Sequence, residues 1–160
     1  MNIFGRGEVH PDGRGAGVWV RRSKNLRIDG IVVSQLPIGQ CDSVELTNVK
    51  SISYYGWGDG MDVFSSSNVI LDGVFCRNSD DCAAVYASTQ GFKGGSNNVL
   101  VKNATLWADV AHPINIGGHG DPNGMDTVQN VTFRNIDILD QAEKQIDYQG
   151  CLAINPGDNT

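Results

Sequence analysis

The chain is short of positive charge, of charge in general, and of long apolar runs. Against 18 Asp and Glu it has 12 Lys and Arg, a formal charge of −6. That balance excludes the basic surface with which nucleic-acid binders displace counterions. Charged residues make up 19% of the chain, where roughly 25% is usual. No apolar run approaches the roughly 18 residues of a membrane-spanning helix. The opening, Met1-Asn2-Ile3-Phe4-Gly5-Arg6-Gly7, lacks a basic-then-apolar signal pattern, which reads either as a cytoplasmic chain or as a mature or excised piece. Cys41, Cys76, Cys82 and Cys151 have no C-x-x-C spacing for zinc or redox chemistry. They are expected to be small apolar core residues and not a disulfide framework. No stretch shows a capped helical period.

Glycine is abundant, 20 of 160 residues, and with 40% hydrophobic residues the chain is apolar enough to fold. Its length suits one domain, taken as residues 1–160. A nine-residue phrase recurs: Asn or Ser, apolar, x, apolar, x, Gly or Asn, apolar, x, and usually apolar. It begins at Asn25, Ser43, Asn68, Asn98 and Asn130. Alternation of period two marks strands. Gly30, Asn48, Gly73, Asn103 and Asn135 at the sixth place suit bends, since both residue types tolerate left-handed backbone angles. Recurring short strands predict an all-β parallel solenoid of about five coils from residue 25 onward. A sandwich would instead require hairpin turns between strands. Extra residues in the longer repeats, Ser88–Ser96, His119–Gly124 and Gln141–Gln149, are expected as loops walling a groove. The interval from Asn25 to Ser43 reads as too short for a full coil. With no capping helix before Asn25 and a turn at Pro156–Thr160, a shortened or partial domain is expected.

A second column aligns Met61-Asp62-Val63, Ala83-Ala84-Val85, Ile114-Asn115-Ile116 and Leu152-Ala153-Ile154. Four residues before the last apolar position stand Asp59, Asp81, His112 and Gly150, and Asp80 adjoins Asp81. Stacked coils would bring three carboxylates and an imidazole into one patch. Taken singly, each has a plain reading: a turn Asp, a solvated loop or half of a calcium site, an ordinary histidine. Taken together, crowded carboxylates repel, so at least one should hold a proton near neutrality. A protonated acid beside an ionised carboxylate is what glycosidic bond hydrolysis requires.

These residues resemble the signature of glycoside hydrolase family 28, the polygalacturonases and relatives. Trp57-Gly58-Asp59-Gly60 is similar to its Asn-Thr-Asp-Gly element, Asp80-Asp81-Cys82 to its Asp-Asp-Cys, and Ala111-His112-Pro113-Ile114-Asn115-Ile116-Gly117 to its Gly-His-Gly strand. The resemblance implies a right-handed parallel β-helix and an inverting hydrolase without cofactor or metal. It assigns Asp80 as general acid, Asp59 and Asp81 as the pair activating water, and His112 as support for the acid's protonation state. Trp57, Asn115 and His119 are the candidate sugar-binding residues.

The family's Arg-Ile-Lys is replaced here by Ala153-Ile154-Asn155, and that basic pair would grip a sugar carboxylate. Its absence opens a neutral sugar as substrate, as in the related three-aspartate β-helix enzymes of family 49. Lys93, Arg134 or Lys144 could supply a cation from a loop. The expected partner is a carbohydrate, with neither nucleic acid nor membrane, and such a substrate implies a secreted or periplasmic protein. A polysaccharide lyase and a non-catalytic carbohydrate-binding β-helix are the alternatives. The sequence leaves oligomeric state, sugar identity and linkage open.

Overall fold

A computed structural model describes residues 17–124, 126–139 and 150–158, with side chains as far as Asn155. Among them there is no helix. Fourteen strands follow in order: β1 (Val20–Arg21), β2 (Lys24–Asp29), β3 (Val32–Val33), β4 (Ile38–Gly39), β5 (Asp42–Thr47), β6 (Lys50–Ile52), β7 (Val63–Phe64), β8 (Ser67–Asp72), β9 (Phe75–Asn78), β10 (Ala83–Tyr86), β11 (Ser96–Ala108), β12 (Ile114–Gly118), β13 (Val128–Ile138) and β14 (Leu152–Asp158).

Every strand pairs in parallel with its counterpart one coil away. One sheet runs β1-β4-β7-β10-β12-β14 and the other β2-β5-β8-β11-β9-β6-β3, with β13 on β11. The second sheet joins two columns of short strands because β11 passes through both without a break. The chain is therefore a parallel β-helix, as the repeat predicts.

The recurring phrase sets the register. Leu26, Val44, Val69, Val99 and Val131 stack as successive partners, as do Ile28, Leu46, Leu71, Val101 and Phe133. The sixth-place residues all have φ between 51° and 70°. So do the first-place residues Asn25, Ser43, Asn68, Asn98 and Asn130, at 53° to 60°. Each phrase is thus bracketed by two left-handed bends, which explains why Asn recurs at both places. The exposed amides also bond from coil to coil: Asn68 Nδ2 donates to Asp42 Oδ1 at 2.8 Å, and Asn98 Nδ2 to Asn68 Oδ1 at 2.7 Å.

Two expectations need correction. The step from Lys24 to Asp42 is a complete coil, since β2 pairs β5 directly and β1 pairs β4. Eighteen residues suffice where bends are single residues and no loop is extruded. Cys76 and Cys82 form a disulfide, whereas Cys41 is free and buried and Cys151 free and exposed. The bridge arises because β9 ends and β10 begins on either side of the same corner, which brings two cysteines six residues apart together.

Inside the coils, fully buried Ile28, Leu36, Ile38, Leu46, Met61, Val63, Leu71 and Leu106 belong to one continuous core. Each such side chain stabilises the fold by about 1.5–3 kcal/mol relative to exposure. A smaller cluster, Phe64, Ala84, Tyr86 and Phe92, packs outside the first sheet. Phe92 comes from the Ser88–Ser96 loop, which therefore folds back against this sheet. The stretch Gln141–Gln149, Lys144 included, and the side chains of Pro156–Thr160 lie outside the described residues.

Candidate active site

The first sheet carries the site. Its register is Val63 to Val85 to Ile116 to Ile154, with Ala83, Ile114 and Leu152 in register two residues earlier. This is the alignment predicted from the sequence, and it extends upstream through Ile38, which pairs Val63. Met61, Val63, Ala83, Val85 and Ile114 belong to the core and Ile116 packs against it, whereas Leu152 and Ile154 of the last triplet are exposed. The intervening row is Asp62, Ala84, Asn115 and Ala153.

Just before the strands, backbone bonds lock three coils together. Gly60 N donates to Asp81 O at 2.7 Å, and Cys82 N donates to His112 O at 3.0 Å. Asn78 Nδ2 donates to Asp59 O at 2.6 Å, with Asn78 fully buried. Gly60 faces no open space: a Cβ there would lie 2.3 Å from Cys82 O and 2.9 Å from Cys76 Sγ. Gly-Asp-Gly at 58–60 is therefore a close backbone crossing and not a free turn.

Asp59, Asp80 and Asp81 line one cavity of about 340 Å³, together with Trp57, Asn115, His119 and Asp62. Six of the seven sequence-predicted site residues thus share it. The seventh, His112, is buried beneath Asp81. Its backbone N–H donates to Asp81 Oδ1 at 2.9 Å, and its Nδ1 lies 3.2 Å from the same oxygen. An ionised carboxylate only accepts, so this ring nitrogen carries the proton. His112 is thus bonded to Asp81, although the resemblance pairs it with the acid Asp80.

The other Asp81 oxygen accepts from Tyr86 Oη at 2.7 Å and from Asn115 Nδ2 at 2.7 Å. Asn155 Nδ2 donates to Asn115 Oδ1 at 3.1 Å, orienting that amide. Burial pushes the Asp81 carboxyl up, but the His112, Asn115 and Tyr86 bonds outweigh it and hold the group below the ordinary carboxylate value. Its neighbours move the other way. Burial first, then the charges of Asp80 and Asp81, raise Asp59 from 3.8 to about 8. Burial and the Asp81 charge raise Asp80. A shared site with one carboxyl held down and its neighbours pushed up is the division of labour that acid–base chemistry uses.

Asp62, Tyr86 and Asn155 were not singled out from the sequence. Asp62 is the middle residue of an aligned triplet, to which the sequence attaches no role. Asn155 appeared only as a missing lysine. The remaining signal was period two: residues flanking the core positions of these triplets share the cavity face. Trp57 is 83% exposed, free to meet a ligand. The His119 ring stands edge-on to Tyr86, centroids 4.8 Å apart. Among the described residues no cluster of three or more His, Cys, Asp or Glu could hold a metal ion.

Comparison with known proteins identifies the family. The family described as glycosyl hydrolases family 28 matches residues 16–144. An exopolygalacturonase of Cochliobolus carbonum is 34% identical over 86 residues, 53% of this chain and 17% of that protein. A probable endo-xylogalacturonan hydrolase A of Aspergillus fumigatus is 31% identical over 120 residues, 75% of this chain and 23% of that protein. Exopolygalacturonase X of Aspergillus niger is 29% identical over 126 residues, 78% of this chain and 24% of that protein. The chain thus spans between 17% and 24% of the length of these relatives. No solved structure matches. With residues 16–144 matched, most of its length, the chain belongs to glycosyl hydrolases family 28.

Proposed function

We propose that this chain carries the catalytic carboxylates of an inverting glycoside hydrolase that cleaves a pectin-type polysaccharide or oligosaccharide. The observation that carries the proposal is the unequal surroundings of two adjacent carboxylates in one cavity: Asp81 accepts four hydrogen bonds and is held down, whereas burial and the Asp81 charge push Asp80 up.

Asp80 acts as general acid. It is the carboxyl beside a permanent negative charge, so it keeps a proton for the leaving glycosidic oxygen. Asp81 and Asp59 activate the water. Asp81 supplies the fixed charge, with its oxygens held by four donors. Asp59 accepts the water's proton once it is ionised. His112 acts through Asp81, donating from Nδ1 and so holding that carboxylate ionised beside the acid. Trp57 offers an aromatic face to a sugar ring, and Asn115 and His119 offer polar edges. No cofactor enters these steps. A polymeric carbohydrate as substrate implies action outside the cytoplasm.

The names of the relatives favour a galacturonan. The cavity favours a second reading of the substrate. No Lys or Arg lines it among the described residues, and the predicted cation places are Ala153 and Asn155, in register with Asn115 and Gly117. A neutral sugar against the carboxylates meets no charge repulsion there. Release of reducing ends from polygalacturonate, a substituted galacturonan and neutral α-glucans, by the full-length protein, separates the two. Loss of nearly all turnover in Asp80→Asn, with product of inverted anomeric configuration by NMR, supports the mechanism. Retained turnover in that variant defeats it. An unsaturated product would instead mark a lyase.

A further inference from the structure

The cavity holds a fourth carboxyl that the proposed reaction does not use. Asp62 immediately precedes β7 and is 2% exposed. It lines the same cavity as Asp59, Asp80 and Asp81 and is hydrogen-bonded to Asp59. Two carboxyls that bond to each other must share a proton, because ionised carboxylates only accept. The structure decides which of the two keeps it. Asp62 Oδ1 has no hydrogen-bond partner, and the next residue in its row is the methyl side chain of Ala84. The titratable groups facing it are Asp59, Asp80, Asp81 and Tyr86, none of them a cation. His119 is the remaining titratable group on the cavity wall. A charge on Asp62 would be buried, short of donors and surrounded by like charge, whereas a neutral acid there loses far less. Asp59 is less deeply buried, lines the cavity, and faces Asp62, Asp80 and Asp81. It is bonded to Asp80 as well as to Asp62, so an ionised Asp59 stands between two carboxyls that each keep a proton.

We infer that Asp62 is a positioning residue that keeps its proton through turnover and donates a hydrogen bond to Asp59, aiming the ionised Asp59 carboxylate at the water. This rests on the reading of Asp59 as a base. In each cycle Asp59 gains the water's proton and releases it to solvent. The Asp62 proton stays in place, and no bond to Asp62 forms or breaks. A donor to the ionised form of Asp59 makes that form easier to reach, so the Asp62 bond lowers an acidic limb of the pH profile that burial and the Asp80 and Asp81 charges push up.

The test uses the full-length protein and compares Asp62→Asn, Asp62→Ala and Asp80→Asn with wild type. Asn keeps an N–H donor and no charge. Its kcat/KM should lie within about tenfold of wild type with the acidic limb unmoved, and Ala should move that limb upward by about one pH unit. A limb that moves down in Asp62→Asn means that a negative charge was removed, and it overturns the inference. So does an Ala variant that folds and loses activity equally at every pH. Should the Ala variant not fold, the Asn variant decides. Carboxyl 13C NMR reads the proton without activity. The resonance absent from Asp62→Asn should hold its protonated position from about pH 4 to about pH 8, and titration within that span refutes the claim. Absent turnover in wild type, or turnover retained in Asp80→Asn, defeats the functional reading instead and leaves the NMR result standing.

Discussion

Tyr86 Oη donates to Asp81 Oδ2 at 2.7 Å, from a phenol whose ring stacks on Phe64 with centroids 5.8 Å apart. The aromatic row on the outer face of the first sheet therefore ends in a hydrogen bond to the carboxylate that stays ionised. Burial and the surrounding carboxylates raise the Tyr86 hydroxyl well above its ordinary value, so it remains a donor at every working pH.

Tyr86→Phe keeps the ring and removes the donor. Hydrogen bonds to charged groups contribute about 1.5–3 kcal/mol, so kcat/KM should fall roughly tenfold to a hundredfold. The Asp81 carboxyl should titrate at a higher pH than in wild type. Steady-state pH profiles of the variant check both, and an unchanged profile would show that Asn115 and His112 suffice.

Stability should depend on pH with a definite sign. A carboxyl raised on folding binds more protons in the folded than in the unfolded chain, so stability falls as pH rises between the two values. For Asp59 that window runs from 3.8 to about 8, and Asp62 and Asp80 act in the same direction. Asp81 acts oppositely: its stabilisation is present above the ordinary carboxylate value and is lost only as pH falls through its lowered one. The thermal midpoint should therefore drop from about pH 5 to about pH 8, and Asp59→Asn should flatten that slope. Melts across this range measure it.

The Cys76–Cys82 bridge closes the short loop that carries Asp80 and Asp81. A loop of this size constrains the unfolded chain by about 2 kcal/mol. Reductant, or the paired change Cys76→Ala and Cys82→Ala, should lower the melting midpoint by several degrees. It should cost kcat more than KM, because the loop positions the reacting carboxylates. Equal melting curves with and without reductant would contradict this.

Gly60→Ala should be among the most damaging single changes. The added methyl meets backbone and a disulfide sulfur, neither of which can swing aside. Overpacking of this kind costs about 1–3 kcal/mol, and the relief would displace Asp59 at the neighbouring position. Circular dichroism melts and hydrolysis rates of the variant test the two effects separately.

The recurring phrase predicts the coil, and the second column of triplets predicts the pairing of Val63 with Val85 and Ile116 and the approach of Asp59, Asp81 and His112. These features are one-dimensional. Parallel stacking repeats a local pattern, and period two assigns each residue to a face before any distance is known. The single-residue bends also follow from local backbone preference, and the Asn at first place could have been read in the same way as the sixth.

Other features depend on separations in space that no local pattern encodes. Cys76 and Cys82 meet because one corner is tight, and a complete coil fits between Lys24 and Asp42 because nothing is extruded there. Which carboxylate is charged depends on how many donors reach it: four reach Asp81, three of them from the next coil, while Asp62, the middle residue of its triplet, has an oxygen without a partner. Residue type and spacing placed the carboxylates side by side. Burial and donor geometry, properties of the packed coils, divide the protons among them.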